Sequence, residues 1–598
     1  MFVVATAGHV DHGKSALVRG LTGMEPDRWA EEQSRGMTID LGFAWTTTPN
    51  GTHIAFVDVP GHQRFVTNML AGVGPTPAVL LVVAADQGWR QQTAEHVAAL
   101  DALGVSHGVL AITRADLADP AAALAQARAE LSGTSLDGIE ALPVSAVTRS
   151  GLPELADALQ RMVAQLHPPK TSAVRLWIDR AFSAAGAGTI VTGTLQSGTI
   201  RTGDELLVAP AGLMVQVRSL QTLKETVSEA SGVARVAVNL RRVRKTQLRR
   251  GYALVTPGRW FCSDLIDVVL CQPVESLPRE ATLHMGSAAV SSQIRPIGPH
   301  AARLQLRTRL PLHVGDRGVL RDPGSARILA GIVAVDVAPS PLGRRGAASR
   351  RAAEIEAISD IVDPFAEVRR RGVVRASQLV ATGHLETTTT LSGVVAAGEW
   401  LVDASTWEGW RDRIQDVVER WEADHPLDPV MPLGAVVSAI GLPDKPLASS
   451  VARTVPVLVA DATGLRRRDA VADLPPPLAE AIEILSQRLR QNPFAAPDVS
   501  ELAALGLTDR YLALATKAGR LLRVAQGVYL LPDAVSESTH CLARIPQPFT
   551  TSEARMALNT SRRVAIPILE LLDQLRITRR VDTSHRVLRP TGDIDADQ

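Results

Sequence analysis

The sequence predicts a multidomain chain: an α/β nucleotide-binding domain, two β-barrels, and a C-terminal array of mainly helical modules with β-ribbon wings. Three observations carry this. The chain opens with strand, glycine-rich loop and helix in "FVVATAGHVDHGKSALVRGL". Short alternating strands with glycine turns begin at about Val174. A helix–turn–helix–ribbon theme then repeats from about residue 350 to 598. A chain of 598 residues is too long for one core. The expected boundaries are 1–170, 171–258 and 259–342 for the first three domains, then 343–426, 427–474, 475–536 and 537–598 for four terminal modules.

The bulk composition is that of a globular protein, 45% apolar and 21% charged with net charge +1. Any nucleic-acid contact must therefore rest on local patches rather than a global field. Cys262, Cys271 and Cys541 are scattered with no CxxC spacing, which implies neither a disulfide framework nor a zinc site and suits a reducing cytosol. No apolar run is long enough for a bilayer, and "AVLLVVAA" (78–85) reads as a central parallel strand. The expected location is cytoplasmic, with no membrane partner. Of the basic residues, six are Lys and the other 57 are Arg.

In the first domain Gly8, Gly13, Lys14 and Ser15 satisfy G-x-x-x-x-G-K-[ST]. The amides of Val10, Asp11, His12 and Gly13 and the helix start at Ala16 can cradle phosphates. Lys14 can reach the terminal phosphates, and the Ser15 hydroxyl suits Mg²⁺. "FVDVPGH" (56–62) supplies a second anchor. Asp58 fits a water-mediated Mg²⁺ contact, Gly61 can bring its amide to a γ-phosphate, and His62 stands where a water-orienting residue is needed. Thr38 in "RGMTIDLGF" is a candidate second hydroxyl for Mg²⁺. "VSA" (144–146) offers Ser145 and the Ala146 amide to a base. "ITRADL" (112–117) stands where a guanine-reading Asn-Lys-x-Asp is expected. Asp116 can accept from the guanine ring N–H and exocyclic amine together. Thr113 can brace the loop through its hydroxyl, and Arg114 can lay its stem over the base.

"GHVDHGKS", "RGMTID", "DVPGH" and "QTAEHV" (92–97) together resemble the translational GTPases of the elongation factor Tu type. The resemblance implies that His62 positions the attacking water, that Val10 and Met37 form an apolar gate beside it, and that the ribosome stimulates GTP hydrolysis. Gln63 departs from the acidic residue usual after that motif.

From Val174 the pattern is barrel-like, with "GAGTIVTGT" (186–194) and "LPLHVGDRGVLRD" (310–322) similar to the second and third domains of the same factors. "WIDRAF" (177–182) and the Thr of "TRAD" resemble the bacterial SelB family, the selenocysteine-specific elongation factors. That resemblance implies a pocket in which fixed guanidinium groups bind a selenolate anion and leave serine's hydroxyl without a charge partner. Arg180, oriented by Asp179, is the first candidate and Arg235 the second.

"PLGRRGAASRRAAEIEA" (341–357) reads as a transition into helix and a linker, and "DLPPPLAE" (473–480) as a hinge. The modules between about 350 and 598 look like winged helices. In the last, "TSRRVAIPILELLDQLR" should turn Ile566, Leu569 and Leu572 inward. Arg562 and Arg563 begin that helix, and Arg579, Arg580 and Arg586 lie on its wing, where they can bracket RNA phosphates. Similarity to SelB implies that this RNA is an mRNA selenocysteine-insertion hairpin. The expected whole is a monomeric, Mg²⁺- and GTP-dependent factor that delivers selenocysteyl-tRNA to the ribosome at a recoded UGA. The alternatives are another tRNA carrier of the elongation factor Tu type or a metabolic GTPase subunit of the sulfurylase-activating type.

Overall fold

The computed structural model describes residues 1–26, 38, 40–62, 65–166, 173–184, 186, 188–272, 277–325, 327–343, 345–358, 360–387, 391–425, 429–461, 463–468 and 476–589. Met37, Gln63 and the first part of the expected hinge lie outside them.

The first domain alternates strands and helices: β1 (Phe2–Gly8), α1 (Lys14–Thr22), β2 (Gly42–Thr47), β3 (His53–Asp58), α2 (Val66–Val73), β4 (Ala78–Ala84), α3 (Gln91–Ala102), β5 (His107–Thr113), α4 (Pro120–Leu131), β6 (Glu140–Pro143) and α5 (Leu152–Ala164). The sheet order is β2-β3-β1-β4-β5-β6, with β2 antiparallel to β3 and the other pairs parallel. Strands in such a sheet are covered on both faces, so they read as continuous apolar runs. Every residue of β4 is buried. Alternate residues of β1 serve opposite layers: Val3, Ala5 and Ala7 join the core under α2, α3 and α4, while Val4 joins the core under α1 and α5. Asp119 starts α4 by accepting from the Ala121 amide, with Pro120 in the first turn.

Two barrels follow. In the first, Glu205–Ala209 pairs with both Ala253–Val255 and Leu213–Thr222, which closes the ring. The second is a closed six-stranded barrel built from residues between Phe261 and Asp336. Trp177 of the first barrel is 1% exposed and belongs to the core of the second.

The expected transition into helix is present. Ala347–Glu356 is a helix that buries Arg351 and Ile355 against the second barrel. Asp267 accepts from Arg303 and Arg351, and Asp336 from Arg351, Arg370 and Arg371. Four of these six charges, Asp267, Asp336, Arg303 and Arg351, are buried and require this mutual pairing, because any one of them alone would be strongly destabilising.

The chain divides into two compact units, Met1–Asp403 and Ala404–Gln598. The helix Ala404–Asp424 packs on Leu433–Ile440, Lys445–Arg453 and Leu465–Arg467. It therefore belongs to the second module of the array, whereas the sequence-based boundary stood behind it at 426/427. Likewise Ala534–Leu542 contacts the helices Thr551–Ala557 and Arg562–Gln574, so the expected break at 536/537 falls inside a helix of the last module. The third and fourth modules share one core that runs from Leu478 to Leu572. In the last long helix Leu569 and Leu572 are fully buried, but Ile566 is 36% exposed and Ile568 takes the inward place.

Candidate functional site

β1 ends at Gly8, whose φ of +134° and contact with β4 leave no room for a side chain; a Cβ there would stand 2.2 Å from the Val82 carbonyl. The loop then turns through Asp11 (φ 60°) and Gly13 (φ 82°) into α1. Lys14 folds back to donate to the carbonyls of Gly8 (3.0 Å) and His9 (2.7 Å). The Ser15 hydroxyl donates to Asp58 (2.6 Å) and lies 3.1 Å from the Thr38 hydroxyl. Three hard oxygen donors from three separate segments thus converge, a donor set that fits Mg²⁺. Asp58 is fully buried and burial raises its pKa, opposed by the Ser15 and Thr6 hydroxyls and by Lys14. Thr6, which sequence reasoning passed over, donates to Asp58 (2.6 Å) and accepts from the Val59 amide.

Gly61 presses on this loop. A Cβ at Gly61 would meet Lys14 Nζ at 2.6 Å and the Val10 amide at 2.7 Å. Val10 itself donates to Gln92 (3.2 Å), and Gly8 donates to His96 Nδ1 (3.0 Å). Gln92 and His96 sit one turn apart on α3 and so share a face. His96 is buried and accepts at Nδ1, which makes it neutral; burial pushes its pKa to about 3. His12 is equally buried, with its pKa pushed to about 4 by burial and by His9 and Lys14. His62 follows Gly61 half-buried, its ring 6.0 Å from that of Phe65.

On the base side, Thr113 ends β5 and its hydroxyl donates to the carbonyls of His12 (2.7 Å) and Val83 (3.3 Å). This ties the phosphate loop to the sheet. Arg114, at φ 56°, forms an ion pair with Asp86 (2.9 Å) and bonds the Asp11 carbonyl. Asp116 is exposed, and Ser145 is buried with its hydroxyl accepting from Thr148. Ala146 follows half-buried, and Ala16 opens the body of α1.

A second site lies where the first barrel meets β2 and β3. The strand Arg175–Ala184 pairs with Gly188–Ser197, and the register slips between Ile178 and Arg180. Asp179 is the extra residue of that bulge. Arg180 then stands opposite Thr192, which stands opposite Ala237, with Arg235 two residues along on the same face. Asp179 accepts from Thr192 (2.8 Å) and from both arms of Arg235. Arg180 donates instead to Asp40 (2.8 Å) and the Leu41 carbonyl (2.9 Å). Asp179 therefore orients Arg235, where the sequence reading paired it with Arg180. Both guanidinium groups lie over Phe43, at 5.5 Å for Arg180 and 4.0 Å for Arg235. They line a cavity of about 330 Å³ together with Trp45, Thr192 and Lys224. Arg250 joins this cluster, donating to Asn68 (2.9 Å) with Asp40 at 3.7 Å, and burial lowers its pKa.

In the last module the five arginines divide. Arg562 and Arg579 are exposed, and Arg580 is an exposed partner of Asp573. Arg563 instead donates to the carbonyls of Gly527, Ala496 and Pro497, which joins the last two modules. Arg586 is 7% exposed and bonds Asp573 and Thr551. Arg563 thus stays exposed while bonded within the arm, and Arg586 is buried on internal partners.

This fold and this phosphate site define a translational GTPase. Residues 1–165 match the family model for the elongation factor Tu GTP binding domain. Residues 541–587 match that for the elongation factor SelB winged helix, and residues 498–532 that for a transcriptional regulator, the AbiEi antitoxin. The selenocysteine-specific elongation factor of Escherichia coli K12 is 33% identical over 71% of each chain. That of Desulfomicrobium baculatum is 28% identical over 98% of this chain and 99% of its own. A crystal structure of bacterial selenocysteine-specific elongation factor EF-Sec shares the fold, with TM-score 0.79 and 23% identity over 98% of this chain and 100% of its own. SelB from Methanococcus maripaludis, solved with the GTP analogue GppNHp, matches 56% of this chain and 79% of its own at TM-score 0.50 and 26% identity. The chain belongs to the family of selenocysteine-specific elongation factors. It binds guanine nucleotides and is a GTPase. No helix among the described residues is long and apolar enough to cross a membrane.

Proposed function

We propose that this protein carries selenocysteyl-tRNA to the ribosome at a recoded UGA codon in a GTP-dependent step, while its last winged helix holds an mRNA hairpin. The observation that carries this reading is the cavity in which Arg180 and Arg235 face Phe43, in a member of this family. The guanidinium groups bind the selenolate, and serine's hydroxyl offers them no charge.

In the nucleotide site Lys14 and the loop amides hold the phosphates, and Asp116 reads guanine with Thr113 bracing the loop. Ser15, Thr38 and Asp58 would hold Mg²⁺, which would neutralise phosphate charge when bound. Gly61 brings its amide to the γ-phosphate, and His62 orients the attacking water once the ribosome has ordered the site. Thr38 and Asp40 lie two residues apart, one at Ser15 and the other at Arg180. Ordering of this segment by GTP therefore also sets the aminoacyl cavity. Arg562, Arg579 and Arg580 contact RNA phosphates. The factor works in the cytoplasm as a monomer.

The test is binding of one tRNA charged with selenocysteine or with serine to the full chain loaded with a GTP analogue. A preference for the selenocysteyl form is expected. Equal affinities sink the selenocysteine reading and leave the GTPase intact.

A further inference from the structure

The cavity beside Arg180 and Arg235 contains a third cation whose placement is unusual. The strands Leu213–Thr222 and Glu225–Val227 are joined by two residues, with Thr222 opposite Glu225. Both turn residues are left-handed, Leu223 at φ 53° and Lys224 at φ 66°. Such a turn ordinarily takes Asn-Gly or Gly-Gly, because any other side chain is strained there. Here the two strained residues both line the cavity. Leu223 packs with Trp45 against the core of the GTPase sheet, and Lys224 Nζ lies 5.2 Å from the centre of the Trp45 ring. Strain of this kind persists where the surrounding structure over-determines it, and it concentrates at functional sites.

The charges of the cavity give the turn its purpose. Arg235 is joined to Asp179, and Arg180 to Asp40. Each arginine therefore brings its own counter-charge. Among the described residues no carboxylate lies within ion-pair distance of Lys224. An uncharged aminoacyl group leaves that ammonium facing water at the cavity rim, whereas an anionic one supplies the missing partner.

We infer that Lys224 is a specificity-determining residue of the aminoacyl site, an ammonium held by a strained hairpin to select an anionic side chain over a neutral one. This rests on the proposal that the cavity receives the aminoacyl end of selenocysteyl-tRNA. The alternative source of negative charge is a phosphate of the tRNA end, and the two are separable.

The full chain with a GTP analogue is titrated with one tRNA bearing selenocysteine or serine, for wild type, Lys224→Met and Lys224→Arg. A second variant replaces Leu223-Lys224 by Asn-Gly, which relieves the strain and removes the charge together. Lys224→Met should weaken selenocysteyl-tRNA about fivefold, as for a half-exposed ion pair, and leave seryl-tRNA unchanged. Lys224→Arg should keep the preference. The Asn-Gly variant should lower the preference by a similar factor while melting at a higher temperature. If Lys224→Met weakens both tRNAs equally, the charge serves a phosphate and the inference fails. It fails as well if the preference is undiminished in Lys224→Met and in the Asn-Gly variant. A wild-type chain with no preference would instead overturn the reading of the cavity itself.

Discussion

Lys14 enters the nucleotide site bonded to the backbone carbonyls of Gly8 and His9, whereas Arg180 and Arg235 line the cavity proposed to take the aminoacyl group and are joined to Asp40 and Asp179. A phosphate chain carries several charges and must be exchanged at every cycle. Bonds to backbone carbonyls of the loop can be transferred to such a ligand as it enters. An aminoacyl side chain offers at most one charge, so its receptor must be rigid before the ligand arrives, and pairing with a carboxylate makes it so. The two sites also differ in how they are assembled. The loop from Gly8 to Ser15 is contiguous, while the cavity draws on segments near residues 40, 180, 224 and 235.

Removing Lys14 breaks this comparison most severely. Lys14→Ala should weaken GTP and GDP binding by about a hundredfold or more, since truncating a buried, hydrogen-bonded charge costs about 2–5 kcal/mol. Titration with a fluorescent GTP analogue measures it. Next is Asp179→Asn, which keeps the shape but removes the counter-charge of Arg235. We expect a loss of about 1–3 kcal/mol in stability and a freely rotating Arg235 with reduced preference between selenocysteyl- and seryl-tRNA. Denaturant melts and the two-tRNA titration read the two effects. Unchanged stability would show that pairing does not hold the cavity.

The contrast in assembly also explains what could be read from sequence. Gly8, Gly13, Lys14 and Ser15 are legible because their chemistry depends on spacing within one turn of loop. The Thr113 hydroxyl was expected to brace the loop, and it bonds the His12 carbonyl. Thr6, Gln92 and His96 were missed as partners because they act across strands or from α3. The bulge at Asp179 reassigns its carboxylate from Arg180 to Arg235, and a bulge leaves no mark in an alternating pattern. The Ile566 error has a simpler cause. Val564, Ala565, Ile568, Leu569 and Leu572 form a broad stripe, and a helix this apolar admits more than one phase.

Acid sharpens the comparison from the nucleotide side. His12 and His96 support the phosphate loop as neutral rings, with pKa values of about 4 and about 3. An unfolded imidazole titrates near 6.5. Above that value both states carry neutral rings and the stability is complete. As the pH falls through 6.5 the unfolded chain takes up protons that the folded chain refuses, and stability is lost progressively down to about 3–4. Between pH 7 and 5.5 the loss should be about 1–3 kcal/mol. His96→Gln, which keeps an acceptor toward the Gly8 amide, should flatten that dependence in thermal melts. An unaltered slope would assign the acid sensitivity to other groups.

The smallest effects test whether the division between internally paired and ligand-facing charge extends to the last winged helix. Arg586 is buried on Asp573, while Arg563 is exposed but bonded to three backbone carbonyls. Arg562, one residue from Arg563, is exposed at the start of the same helix. Arg586→Ala should lower the stability of the arm by about 1–2 kcal/mol through the loss of its bonds to Asp573 and Thr551. Arg562→Ala should leave the melting curve in place and weaken binding of the mRNA hairpin in a salt-dependent way, with a slope smaller by about one phosphate contact. Two arginines of one module, one on the helix and one on the wing, would then differ in function because of their partners. If Arg586→Ala instead weakened the hairpin while sparing stability, Asp573 would be an orienting group for an RNA contact, and the distinction drawn between the two kinds of arginine would not hold in the arm.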